Sequence, residues 1–210
     1  MRNSALTRIA VVLGCCMPAA ALAGPVEDGQ AAVHRKDYSE ALRLFRLAAA
    51  KGDAAAQDQL GDMYFNGMGV KSDWAEALRW HRLAADQGNA AAQETLGDTY
   101  EDGWGVAVDG AEALRWYRLA AAQGNAEAQR DVGTIYYLGK GVSTDYGEAM
   151  RWFRLAADRS SAAQFYIGLM YEHGDGVAAD RAEALRWLRL AADRGDQDAA
   201  DEIDDLSSGN

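Results

Sequence analysis

Cysteine occurs only twice in this 210-residue chain, as the adjacent Cys15 and Cys16. Both lie in its first apolar stretch, so nothing downstream can form a disulfide or a thiolate metal site. Proline is equally scarce. Pro18 and Pro25 are the only two, and the chain beyond Pro25 contains no helix breaker of that kind. The three histidines, His34, His81 and His173, stand far apart and never in a His-x-x-x-His pattern, so no converging zinc set is expected. Cations are outnumbered, 21 Lys and Arg against 32 Asp and Glu, for a net charge of −11. That balance argues against non-specific nucleic-acid binding, which needs a basic surface to neutralise phosphates. No apolar run is long enough for a stable membrane span.

The first residues read as a targeting segment. Arg2 and Arg8 precede a short apolar run from Ile9 to Cys16, and Ala21-Leu22-Ala23 gives a small-x-small cleavage site before Gly24. This is the grammar of a secretory signal peptide covering residues 1–23. A rival reading takes Val12-Leu13-Gly14-Cys15 as a weak lipoprotein box that would place a lipid on Cys15. Cleavage after Ala23 would remove two arginines and no acid, so the charge falls from −11 to −13. Export to the periplasm or beyond is therefore expected. The mature chain would have to stand on its hydrophobic core without disulfide support.

What is present is a repeat. The phrase Glu-Ala-Leu-Arg begins at Glu40, Glu76, Glu112 and Glu183, and at Glu148 with Met150 in place of Leu. The steps are 36, 36, 36 and 35 residues. A fixed period of this length signals a stacked helical solenoid, in which each unit relies on its neighbours to complete the core.

Residues 53–88 show the plan of one unit. Asp53 is a helix N-cap, and Ala56, Leu60, Met63 and Tyr64 form one apolar stripe. Gly61 within that stripe would let a partner helix approach closely, which compensates its poor helix propensity. Gly67-Met68-Gly69-Val70 makes a turn. Asp73 and Glu76 have capping-box spacing, Glu reaching back to the cap. Ala77, Trp80, His81 and Ala84 face the packing side. Gly88 ends the second helix in a left-handed conformation, and Asn89 caps the next. The same plan predicts units at 89–124, 125–160 and 161–195. The missing residue falls at Ser160-Ser161, where an altered inter-repeat turn is expected. Residues 24–52 read as a first helix pair closer to a plain tetratricopeptide unit. Residues 196–210 read as a polar capping helix and frayed tail, with Asp204 in the place of Gly61. The fold expected is all-α: a solenoid of five helix pairs plus a C-terminal capping helix.

Ala-x-Ala-Gln-x-x-Leu-Gly-x-Met-Tyr, Gly-x-Gly-Val, Asp-x-x-Glu-Ala-Leu-x-Trp and Ala-Ala-x-x-Gly together resemble the Sel-one-like repeat (SLR) family, a longer-looped cousin of the tetratricopeptide repeat. The resemblance covers about residues 37–200. It implies a right-handed superhelix whose first helices line the concave face, and adaptor or scaffold roles. Exported bacterial relatives imply cell-envelope signalling, exopolysaccharide control or host interaction. A secreted, cysteine-rich branch implies action on β-lactams, but this chain lacks that branch's cysteines.

Other chemical readings are weaker. The Gly-x-Gly-Val turns lack the Lys-Ser/Thr and the preceding strand of a phosphate cradle, and their recurrence marks them as structural. His81 occupies the position held by Phe45, Tyr117, Phe153 and Leu188, so it reads as a core residue. No serine lies in a nucleophile elbow. No catalytic, cofactor or metal residue is assigned, and no enzymatic activity is expected. Trp80, Trp116, Trp152 and Trp187 recur as packing residues, while Trp74 and Trp104 break the pattern and Trp104 reads as a possible exposed contact. Paired arginines recur at i, i+3 on every second helix, from Arg43/Arg46 to Arg186/Arg189, and read as a solvated ridge with glutamates three residues before each pair.

The positions beside the packing stripe of the first helices would face the groove. They are acidic in the second and third pairs: Asp58, Asp62, Glu94, Asp98, Glu101 and Asp102. In the last two they turn aromatic and apolar: Tyr137, Phe165, Tyr166 and Leu169. This points to a protein-binding groove for a basic-plus-apolar segment of an unidentified protein partner. An enzyme acting on cell-wall or β-lactam compounds and a structural glycan-binding envelope component are the alternatives.

Overall fold

The computed structural model describes residues 24–208, so the expected signal peptide and the lipid site at Cys15 lie outside the described residues. Eleven α-helices follow one another among the described residues. They are α1 (Pro25–His34), α2 (Tyr38–Ala49), α3 (Ala54–Asn66), α4 (Trp74–Asp86), α5 (Ala90–Asp102) and α6 (Gly110–Ala122). Then come α7 (Ala126–Leu138), α8 (Tyr146–Ala156), α9 (Ser161–His173), α10 (Arg181–Ala192) and α11 (Gln197–Ser208). Each helix packs chiefly on the helix before and after it in sequence, which makes a solenoid of five antiparallel pairs closed by α11. The capping helix runs further than the sequence suggests, taking in Ser207 and Ser208. α7 and α9, on either side of the shortened junction, also touch each other directly.

One residue pair per unit sets how closely the two helices meet. A methyl group on Gly61 would lie 2.7 Å from the His81 ring, and one on Gly97 2.4 Å from Tyr117. Gly168 stands in the same relation to Leu188, and Gly29 to Phe45, so the first pair carries this device too. His81 is buried, in the slot that an aromatic or leucine side chain fills elsewhere. In the turns, Gly67 and Gly69 both have positive φ, which glycine adopts without a Cβ clash.

The aspartate caps hold: Asp73 accepts from the Glu76 amide at 3.0 Å, and Asp109, Asp145 and Asp180 act alike. The glutamate half of the expected capping box does not form. The Glu76 carboxylate turns forward instead, taking Arg79 at 2.7 Å and the Trp80 indole N–H at 2.9 Å. Arg79 also lies over the Trp80 ring. A guanidinium that pairs and stacks at once outcompetes one exposed backbone amide. Trp80, Trp152 and Trp187 pack back onto the core of the preceding unit, as packing residues should.

Successive units are joined by features the sequence reading left unassigned. Gln57 donates to the Ala49 carbonyl at the end of the preceding second helix, and Gln93, Gln129 and Gln164 do the same at Ala85, Ala121 and Ala157. Ala49, Ala85 and Ala121 already accept from the Gly52, Gly88 and Gly124 amides, so the glutamine is a second donor that ties the next unit to each helix end. The arginine ridge is also more than solvated. Arg46, Arg82, Arg118 and Arg154 each donate to the hydroxyl of Tyr64, Tyr100, Tyr136 and Tyr171 in the next unit. Only the first arginine of each pair serves its own helix. At the shortened junction α8 stops at Ala156, no left-handed glycine intervenes, and Ser160 caps α9 while buried.

Candidate functional site

The acidic positions separate into two clusters. In the second pair Asp58 is buried rather than facing open space, 3.2 Å from Nδ1 of His81. Asp62 is half-exposed, with its carboxylate 3.7 Å from Nε2 of the same ring. Burial, reinforced by the Asp58 charge and opposed by His81, pushes Asp62 up to about 6.

In the third pair the Tyr117 hydroxyl reaches across from α6 to contact Asp98 at 2.6 Å and Glu101 at 2.9 Å. That hydroxyl has one proton for two carboxylates. Burial raises the Asp98 pKa, with the Tyr117 hydrogen bond acting against it. Asn125 donates to Glu94, which burial also raises. Lys140 meets Glu101 at 2.6 Å. From α7, Arg130 holds Asp131 at 2.7 Å, and burial still pushes Asp131 up to about 7. Asp131 was not foreseen as part of this cluster. Its register counterparts, Gln59, Thr95 and Tyr166, carry no charge, so alignment of the units does not mark the position as acidic. Asp102 is exposed and forms no ion pair among the described residues.

The aromatic positions do converge. Tyr166 stacks on Phe153 at 4.9 Å and leans on Tyr137 at 5.6 Å and Phe165 at 5.8 Å. Tyr146, from the start of α8, joins them at 5.5 Å from Tyr137. Leu169 is half-buried on the same face of α9. A second aromatic cluster lies at the other end. Phe65 stands 6.3 Å from Trp74 and 5.0 Å from Trp104, and Trp74 is about half exposed.

The middle residue of each of the last three Gly-x-Gly turns reaches back to the preceding unit, always to the same register position. Trp104 meets Phe65, Lys140 meets Glu101, and Asp175 accepts from the Tyr137 hydroxyl at 3.0 Å. On the opposite, outer side the second helices expose one leucine per unit: Leu47, Leu83, Leu119, Leu155 and Leu190. A shallow hollow of about 340 Å³ on α4, lined by Leu78, Arg79, Arg82 and Leu83, belongs to that side. No cluster of three or more possible metal ligands occurs among the described residues.

The Sel1 repeat family profile matches five successive segments, residues 18–53, 54–89, 90–125, 126–161 and 161–196. The chain belongs to the Sel1 repeat family. Its first match takes in the first helix pair. A Sel1 repeat protein from Oxalobacter formigenes is 35% identical with a TM-score of 0.82, over 87% of this chain and 73% of that one. The c5321 protective antigen of uropathogenic Escherichia coli, described as displaying an SLR fold, is 34% identical with a TM-score of 0.80. That match covers 87% of this chain but 40% of the antigen. The immunity protein Pa5087 of Pseudomonas aeruginosa shares the fold at 18% identity and a TM-score of 0.52, over 82% of this chain and 68% of that one. No curated protein matches the chain. Sel1 repeat proteins commonly mediate protein–protein interactions, and no helix among the described residues is long and apolar enough to cross a membrane.

Proposed function

We propose that this Sel1 repeat chain is an exported, non-enzymatic adaptor that binds a protein partner along its inner, first-helix face. One observation carries the reading. The packing stripe repeats from unit to unit, whereas the positions beside it, Asp62, Asp98, Thr134 and Leu169 in register, are all partly exposed and change charge and character. A face freed from a shared packing role, with an acidic stretch next to a solvent-reaching aromatic cluster, suits selective recognition. Such a face would serve envelope signalling or exopolysaccharide control, where an exported scaffold brings other proteins together.

The test is affinity capture from an extract of the cells that make the protein. Asp102→Lys should lose the partner, while Leu83→Asp on the outer face should keep it. The exposed leucine row is the specific feature that favours a rival, outer-face site, and the reverse pattern of capture would establish it. Retention on purified polysaccharide, unaffected by Asp102→Lys, would instead support the glycan-binding component. Export has its own check: the intact mass of the protein from its cells should begin at Gly24. A start at Cys15 carrying a diacylglycerol would make it a lipoprotein.

A further inference from the structure

We infer that the groove takes an extended polypeptide segment with an apolar or aromatic residue near each end and a lysine or arginine between them. This rests on the groove reading above and sharpens it. The sequence suggests a groove acidic at one end and aromatic at the other. The structure adds the cluster of Phe65, Trp74 and Trp104 beyond the acidic stretch, so aromatic surface flanks the acids on both sides.

A single register line makes the arrangement plain. Phe65, Glu101 and Tyr137 occupy the same position in successive units, and each is met by the turn residue of the next. Around Glu101 stand Glu94, Asp98, Asp102 and Asp131, against only Arg130 and Lys140. Asp102 is exposed and has no ion pair among the described residues. The centre therefore has acceptor capacity left over and repels an anionic polymer. Aromatic rings at both ends offer apolar anchoring, with Trp74 and Tyr146 reaching solvent.

Phe65 and Tyr137 lie two units apart, roughly 20 Å at about 10 Å between neighbouring helices. An extended segment covers that distance in about six residues. The expected occupant thus has two apolar residues five to seven positions apart, with a cation between them opposite Asp102.

The probe is a library of random dodecapeptides displayed on phage and selected on the immobilised chain. The expected consensus has two apolar or aromatic positions at that spacing and an intervening Lys or Arg. A synthetic consensus peptide should bind at least about tenfold more weakly to Trp74→Ser, and likewise to Phe165→Ser. Replacing its cation by Gln should cost about as much. Trp74 is half exposed, whereas Phe165 is partly buried against Leu188, Ala191 and Ala199, so circular dichroism and urea unfolding check that each variant keeps its fold. No enrichment, a one-anchor or acidic consensus, or binding that Trp74→Ser leaves unchanged would overturn the two-anchor site. Peptides that bind but ignore Trp74→Ser, Phe165→Ser and Asp102→Lys alike would overturn the groove reading as well.

Discussion

Gly133 faces Phe153 so closely that a methyl group placed on it would lie 2.6 Å from the ring. Phe153 is fully buried and stacked on Tyr166, so it cannot swing aside without disturbing the aromatic cluster. Gly133→Val should therefore destabilise by about 1–3 kcal/mol through overpacking. Lys71→Ala, at an exposed turn position, should stay within about 0.5 kcal/mol. Urea unfolding of both variants checks this, and equal shifts would contradict the close approach.

The second arginine of each pair bridges units, so its removal is not silent. Arg118→Ala and Tyr136→Phe should each cost about 0.5–1 kcal/mol, because the bond is exposed though charge-assisted. Together they should cost little more than either alone. The double-mutant cycle reads that shortfall, and strict additivity would show that the two groups do not interact.

Stability should fall as pH rises from about 4 to 7. Asp131 is pushed up to about 7 and Asp62 to about 6, both chiefly by burial. Unfolded aspartate titrates near 4, so the folded chain holds protons in this window that the unfolded chain releases. Their contribution is favourable below the window and lost above it. Glu76 and Glu112 act oppositely: arginine holds them below the usual range, so their support is lost only on further acidification. The expected optimum therefore lies at about pH 4, where the two trends meet. Unfolding free energy at pH 8 should be lower by about 1–2 kcal/mol, after allowing for solvent screening around Asp62. Asp131→Asn should flatten the slope between pH 5 and 8, as urea midpoints across that range will show.

Association kinetics should divide between the groove's two chemistries. Asp102 is exposed and bonded to nothing described, so Asp102→Asn should slow association and weaken its salt dependence without changing the melting temperature. Phe165→Ala should act on dissociation, with a loss of about 2 kcal/mol if it anchors the partner. Asp98 and Glu101 are poorer probes, because both also hold the Tyr117 hydroxyl. Stopped-flow binding to the captured partner at two salt concentrations separates the effects.

The period made the helix pairs legible from sequence, and alignment of the units placed His81 in the Phe45–Tyr117–Phe153 slot, where it is buried. The Arg118–Tyr136 bond was also within reach, since both residue types recur at a nearly constant separation. Two features were not legible. Asp58 reads as a surface acid until His81, 23 residues away, is seen to cover it. Phe65, Trp74 and Trp104 come from a helix, a helix start and a later turn, and only the stacking of units brings them together.

Because the turn residues differ at each junction, the units cannot be exchanged freely. Deleting residues 125–160 would keep the period but set Asp175 opposite Glu101, acid against acid, where Lys140 now stands. Deleting residues 89–124 would leave Phe65 facing Lys140 in place of Trp104. The chain therefore encodes the order of its units as well as their number, through a side chain that plays no part in forming any one of them.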